Sequence, residues 1–451
     1  MRDNNNDERR EYRRNRRVRN QILAYLLLVV LVGLVTVPLY MGARALVHEI
    51  ASNNKVPEIS EVSDDDADSV SDDLPDTISS PDAALSVSAD EETSVKEEET
   101  TEPVDEDIRA AIDSMSTEQK TAALFMVSPE TMTGVDIASR AGDGTKAAIE
   151  KYAVGAIVYD KKNVLDEAQF KDMVDKTGEM YAEAYVSGND LRYLIKAFKE
   201  DGTYTALSAA SGKTAPQNGS ALAASGDSSA AYQAFLDTGS LLNEYKIDLD
   251  LAPVCDLASE SSYVKDEAFG SDPDAAALLA ASAVSALSDQ RIMSCASTYP
   301  GQGELTAAPA GASESAKSFD DLKEAEMKPF ASCIEKGVPF VMVGALTVSG
   351  NDEADAPAYI SEKMISYLKN DMGFKGVVIT DDLSVISQGA EFDQGEAALR
   401  AINAGADMIY VSAGFEDTYN AVLKAVNDGA ITEERLDDAL VRQYKIKKEF
   451  K

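Results

Sequence analysis

The stretch GVVITDDLSV, Gly376 to Val385, carries two adjacent carboxylates, Asp381 and Asp382, directly after a run of apolar residues. A carboxylate at the end of a buried strand can serve chemistry, as a nucleophile or as a proton donor or acceptor whose basicity burial has altered. It can equally cap the loop or helix that follows, by accepting backbone N–H groups. Histidine, the commonest partner in proton transfer, is almost missing: the chain has one, His48, far from this stretch in sequence. Acid–base work here would have to run on carboxylates. The three cysteines, Cys255, Cys295 and Cys333, lie scattered in apolar context. They offer neither a metal spacing nor a disulfide framework, and read as buried thiols. The sequence shows no metal cluster, glycine-rich phosphate loop or nucleotide motif, so neither a metal nor a cofactor is expected.

The elements that must hold Asp381 and Asp382 are written over residues 108–451. Short apolar runs recur there, each followed by a polar loop and a helix-like segment: LFMV (124–127), AIVY (156–159), TALSA (205–209), LDLAPV (249–254), SCAST (294–298), FVMVGAL (340–346), GVVITDD (376–382) and MIYVSA (408–413). Near-continuous apolar strands separated by helices imply a parallel sheet covered on both faces. Eight such units predict an α/β fold of the (β/α)8 TIM-barrel type, with a doubly wound open sheet as the alternative. In a barrel the chemistry sits at the C-terminal ends of the strands, where Asp381 and Asp382 fall.

The rest of the chain is organised by charge. The formal net charge of -37 excludes nucleic acid and other polyanions as partners, since these need clustered Lys and Arg. Residues 1–20 run against this trend, with eight Arg to four acids, and read as a basic cytoplasmic tail. The uncharged run 21–43 follows and is long enough to span a bilayer as one transmembrane helix. The positive-inside rule then predicts a single-pass protein of the cell membrane, with the N-terminus cytoplasmic and the barrel on the outer side. Residues 51–107 hold 20 acids, two Lys and no aromatic residue, and read as a disordered acidic linker.

Four stretches resemble glycoside hydrolase family 3, in particular its single-barrel β-N-acetylhexosaminidase branch. MSTEQKTAALFMV is similar to the family's opening helix and first strand, and IDLDLAPVCDLASESSYVKDEAFGSDP to its fourth strand and loop. GFKGVVITDDLSV is similar to its seventh strand and AINAGADMIYVS to its eighth. The resemblance covers nearly all of residues 108–451 and implies a retaining glycosidase. Such an enzyme needs one carboxylate to form a covalent glycosyl intermediate and a second group to protonate the leaving oxygen. By residue match Asp381 stands at the nucleophile, and the resemblance implies substrate-binding positions at Asp256 and Asp382.

Other positions depart from the family's pattern. Its K-H-F-P-G-H-G signature is here STYPGQG, with Ser297 and Thr298 for the first Lys and His and Gln302 for the second His. The Asp-x-His dyad falls on Ala308 and Ala310, the Arg of D-R-S-F-G on Glu267, and D-Q-E-G-G near Ala209. A general acid is worth a factor of about 10²–10⁴. Its loss, with that of the cationic sugar-holding groups, predicts a catalytically impaired barrel kept for glycan binding or as a scaffold. Two alternatives stand beside this reading. One is an active β-N-acetylhexosaminidase in which Glu304 or Glu314 supplies the acid. The other is a structural, partner-binding module without glycan affinity. The expected partners are thus a cell-wall or other N-acetylated glycan, recognised with the help of Tyr299, and the membrane through the N-terminal helix.

Overall fold

The computed structural model describes residues 104–185, 192–349, 356–390 and 392–451. Its strands are β1 (Phe125–Val127), β2 (Ala156–Val158), β3 (Ile195–Phe198), β4 (Leu249–Asp250), β5 (Met293–Tyr299), β6 (Ser313–Ser318), β7 (Phe340–Val343), β8 (Leu346–Ser349), β9 (Val377–Thr380) and β10 (Ile409–Val411). Eight of them form one parallel sheet in the order β10-β1-β2-β3-β4-β5-β7-β9. A parallel bridge between Ile379 and Met408 sets β9 against β10 and nearly closes the ring. At least one helix separates each pair of successive ring strands, as the alternation in the sequence predicts.

The strands are apolar on both faces because both are covered. Alternate residues, such as Ile195 and Ala197 or Val377 and Ile379, fill the inside of the barrel. Their neighbours, such as Phe198 and Val378, pack against the surrounding helices. Local signals fix the helix starts. Ser116 and Gln119 form a capping box at Thr117–Ala123, and Asp272 caps the Ala-rich helix Pro273–Asp289, which opens on a proline. The C-terminal helix Glu433–Phe450 stops the floor: its Ile446 and Phe450 join the interior cluster beside Tyr193. Asp407, fully buried just before β10, accepts hydrogen bonds from Val378 N (3.0 Å), Lys369 Nζ (2.9 Å) and Arg435 Nη2 (3.1 Å).

Three expectations change. The third barrel strand is Ile195–Phe198, not TALSA, most of which lies in the helix Ala206–Ser211. The helix Glu106–Asp113, capped by Asp105, takes up the last residues of the acidic run expected to be linker. The single-pass membrane placement is overturned as well: among the described residues no helix is long and apolar enough to cross a membrane. The run 21–43 on which it rested lies outside the described residues, as do the basic tail and all but the end of the linker.

Candidate active site

Alternation along the strands decides what reaches the mouth of the barrel. On β9, Val377 and Ile379 point inward, so the next inward position is Asp381. Its backbone N–H still pairs with Val343 O (2.9 Å), which continues the strand geometry. On β3, Ile195 and Ala197 point inward and the next such position is Lys199. Tyr410 and Leu251 lie against the same interior cluster and form the floor of the mouth.

The two adjacent aspartates have different jobs. Asp382 is the cap: its Oδ1 accepts from Ser384 N (3.1 Å), Ser384 Oγ (2.7 Å) and Ser412 N (3.0 Å). It thereby starts the helix Leu383–Ile386 and ties the end of β9 to the end of β10. Asp381 faces the mouth and accepts one hydrogen bond, from Asp382 N at 2.7 Å. Burial first, and the Asp382 charge after it, push its carboxyl above the ordinary range. The Asp382 N–H bond and the Lys199 ammonium act the other way.

Asp256 is a brace. It is fully buried and accepts from Gln302 N (2.6 Å) and Thr298 N (3.2 Å), binding the loop after β4 to the end of β5. Burial drives its carboxyl up to about 7 against those two bonds. Gln302, at the second His position of the family pattern, donates through Nε2 to Tyr263 Oη (2.7 Å). Glu304 is turned to the rim, where its Oε1 accepts from Ser315 Oγ (2.6 Å) and Ala316 N (3.1 Å) of β6. Glu314, the other acid considered, lies on β6 itself, opposite Thr347 of β8. Tyr299 is not at the mouth. It is fully buried, donates to Met364 O (3.2 Å) and stands edge-on to Phe330 with ring centres 5.6 Å apart.

The corrected third strand reveals a cluster that the sequence had not shown. With β3 ending at Phe198, the D-Q-E-G stretch of the family pattern falls on Lys199, Glu200, Asp201 and Gly202 rather than near Ala209. Lys199 pairs with Glu267 and lies 3.8 Å from Asp201 Oδ2. Burial works against its charge, but Asp201 and Glu267 hold it protonated, above the usual lysine range. Glu200 is buried and accepts from Leu207 N (3.0 Å) and Ser208 N (2.9 Å), so it starts the helix Ala206–Ser211 from outside that helix. Asp201 Oδ1 accepts from Thr203 N and Tyr204 N, both at 2.9 Å, and shapes the turn. A cavity of about 510 Å³ opens beside this cluster, with Lys199, Tyr204, Asp160, Leu251 and Tyr410 among its walls. Asp381 is not part of its lining. The signal that could have found the cluster is the tripeptide Lys199-Glu200-Asp201 followed by Gly202, three charges and a turn residue directly after the apolar pair Ala197-Phe198.

The glycosyl hydrolase family 3 N-terminal domain model matches residues 116–446. Among curated proteins, the β-hexosaminidase LpqI of Mycobacterium bovis BCG is 27% identical over 271 residues, covering 58% of this chain and 67% of that protein. A β-N-acetylglucosaminidase structure of that family from a Paenibacillus species aligns with TM-score 0.68 and 26% identity, over 75% of this chain and 63% of the other. The Mycobacterium tuberculosis LpqI structure aligns with TM-score 0.65 and 23% identity, over 76% of this chain and 97% of the other, and supports the fold alone.

Proposed function

The chain belongs to glycosyl hydrolase family 3, and from that premise we propose that its barrel binds an N-acetylated glycan and hydrolyses it poorly or not at all. One observation carries the reading. A cavity with polar and aromatic walls sits at the C-terminal mouth, while Glu304, the acid the sequence offers as partner to Asp381, is engaged by Ser315 and Ala316 of β6. A retaining glycosidase needs its two carboxyl groups about 5–5.5 Å apart across the bond to be cleaved. It also needs its nucleophile ionised, and burial pushes Asp381 the other way. The relatives named β-hexosaminidase and β-N-acetylglucosaminidase indicate the class of glycan.

The alternative reading, a working hydrolase with Asp381 as nucleophile, has one observation in its favour: the Lys199 charge helps to keep Asp381 ionised. Activated aryl N-acetylglucosaminides separate the two, because a good leaving group needs little protonation. The expected result is equal turnover by wild type and Asp381→Ala. Turnover that disappears in Asp381→Ala and survives in Glu304→Gln would establish the hydrolase instead.

A further inference from the structure

Two of the three cysteines, far apart in sequence, touch in the fold. Cys255, in the loop after β4, and Cys333, in the last turn of the helix Met327–Glu335, are separated by 78 positions, yet their Sγ atoms lie 3.6 Å apart, at van der Waals contact. We propose that Cys255 and Cys333 are a redox pair, joined by exchange with a low-molecular-weight disulfide into a bond that tightens the loop holding Asp256. The inference stands apart from the glycan-binding reading and does not depend on it.

The fold leaves one pairing. Cys295 lies on β5 and belongs to the cluster inside the barrel, whereas Cys255 and Cys333 belong to the layer between the strands and the helices. A disulfide is about 2.05 Å long, so the present gap of 3.6 Å closes with a movement of about 1.5 Å shared by two side chains. Both residues are at most 1% exposed, and burial first, with Cys333 beside it, holds the Cys255 thiol protonated, well above its usual range. The thiolate is the attacking species, so exchange proceeds when the helix or the loop opens. One cysteine then attacks the oxidant's disulfide and releases one thiol. The other attacks the resulting mixed disulfide, forms the Sγ–Sγ bond and releases the second thiol. The two protons and two electrons of the cysteines end on the two released thiols. What the bond holds is tied to the mouth. Cys255 N donates to Ser297 O (2.5 Å), and the next residue, Asp256, accepts from Thr298 N and Gln302 N. The anchor on the other side is firm, because Cys333 O closes its helix by accepting from Lys336 N (3.1 Å) and Val338 N (3.0 Å).

The test oxidises the full chain with glutathione disulfide in urea just below the unfolding midpoint, returns it to native buffer and maps its peptides by mass spectrometry without reduction. The expected product is a peptide linked through Cys255 and Cys333, with Cys295 still open to alkylation after denaturation. The melting temperature should rise by roughly 5 °C, as closure of a long loop in a chain of this size implies, and fall back with dithiothreitol. Hydrogen exchange at the Thr298 and Gln302 amides should slow in the oxidised form. Cys295→Ala should keep the shift and Cys333→Ala abolish it. Oxidised and reduced wild type are compared directly, so a variant that fails to fold leaves the test intact. No linked peptide, a linkage through Cys295, or a melting temperature that stays or falls on oxidation would overturn the redox pair. A linkage that raises the melting temperature without slowing those two amides would overturn its hold on the Asp256 loop.

Discussion

Asp256 shows how a residue that looks like part of a binding site can instead set the pH response of the fold. Its carboxyl titrates at about 7 in the native barrel against 3.8 as its ordinary value, because burial outweighs two backbone hydrogen bonds. Between those values the native state holds a proton that the unfolded chain has released. This group's contribution to stability is therefore complete below pH 3.8 and is lost as the pH rises through 7. The slope is about 1.4 kcal/mol per pH unit at most. Asp256→Asn cannot titrate and keeps one of the two acceptors. Thermal unfolding followed by circular dichroism should show it less stable than wild type at pH 4.5, with the gap narrowing or inverting by pH 7.5. A gap that stays constant across this window would mean that Asp256 is ionised in the fold. Tyr299 is a second lesson at this scale. Strand parity from Met293 and Cys295 would aim it into the barrel, but the pairing of β5 with β7 shifts register between Ala296 and Tyr299. The shift sends the side chain to the outer face.

At the scale of elements, the adjacent aspartates separate by face. Asp382 starts a helix and joins two strand ends, so Asp382→Ala should cost about 0.5–2 kcal/mol, the usual range for a lost cap. Asp381→Ala removes a partly buried carboxylate with one local hydrogen bond and should leave urea denaturation unchanged or shifted slightly toward stability. Seven of the eight ring strands are legible in the sequence, because β-branched and apolar runs covered on both faces leave little else to be. The third is not. Its core, Ile195–Phe198, is interrupted by Lys196, whose ammonium reaches Asp248 at 2.8 Å, while TALSA reads equally well as strand or helix. What decides TALSA is Glu200, whose carboxylate caps Leu207 and Ser208, a contact that no window over those five residues contains. Asp381 was legible as a mouth residue from the strand before it. Lys199 was not, because its place depends on where β3 ends.

For the described barrel as a whole, the floor and the mouth follow opposite rules. The floor spends its charges on itself: Asp407 gathers Lys369, Arg435 and a backbone N–H, and Arg442 approaches to 3.9 Å. Asp407→Ala would leave those cations without their carboxylate and should destabilise the barrel by about 3–5 kcal/mol in equilibrium unfolding. A loss below about 1 kcal/mol would show that solvent takes over the pairing. The mouth instead keeps polar groups that the protein leaves partly unanswered, and its cavity lies toward β2 and β3 with Asp381 outside the wall. That offset bears on selectivity among ligands. Enzymes bind mimics of the transition state about 10²–10⁸ times more tightly than substrates, because their charges meet the reacting carbon. On the proposed glycan-binding reading, a ring held toward β2 and β3 and away from Asp381 gains little from that carboxylate when it is planar and cationic. The barrel's affinities for such a mimic and for the plain chair-shaped sugar, measured by calorimetry, are then expected to be nearly equal, the profile of a receptor.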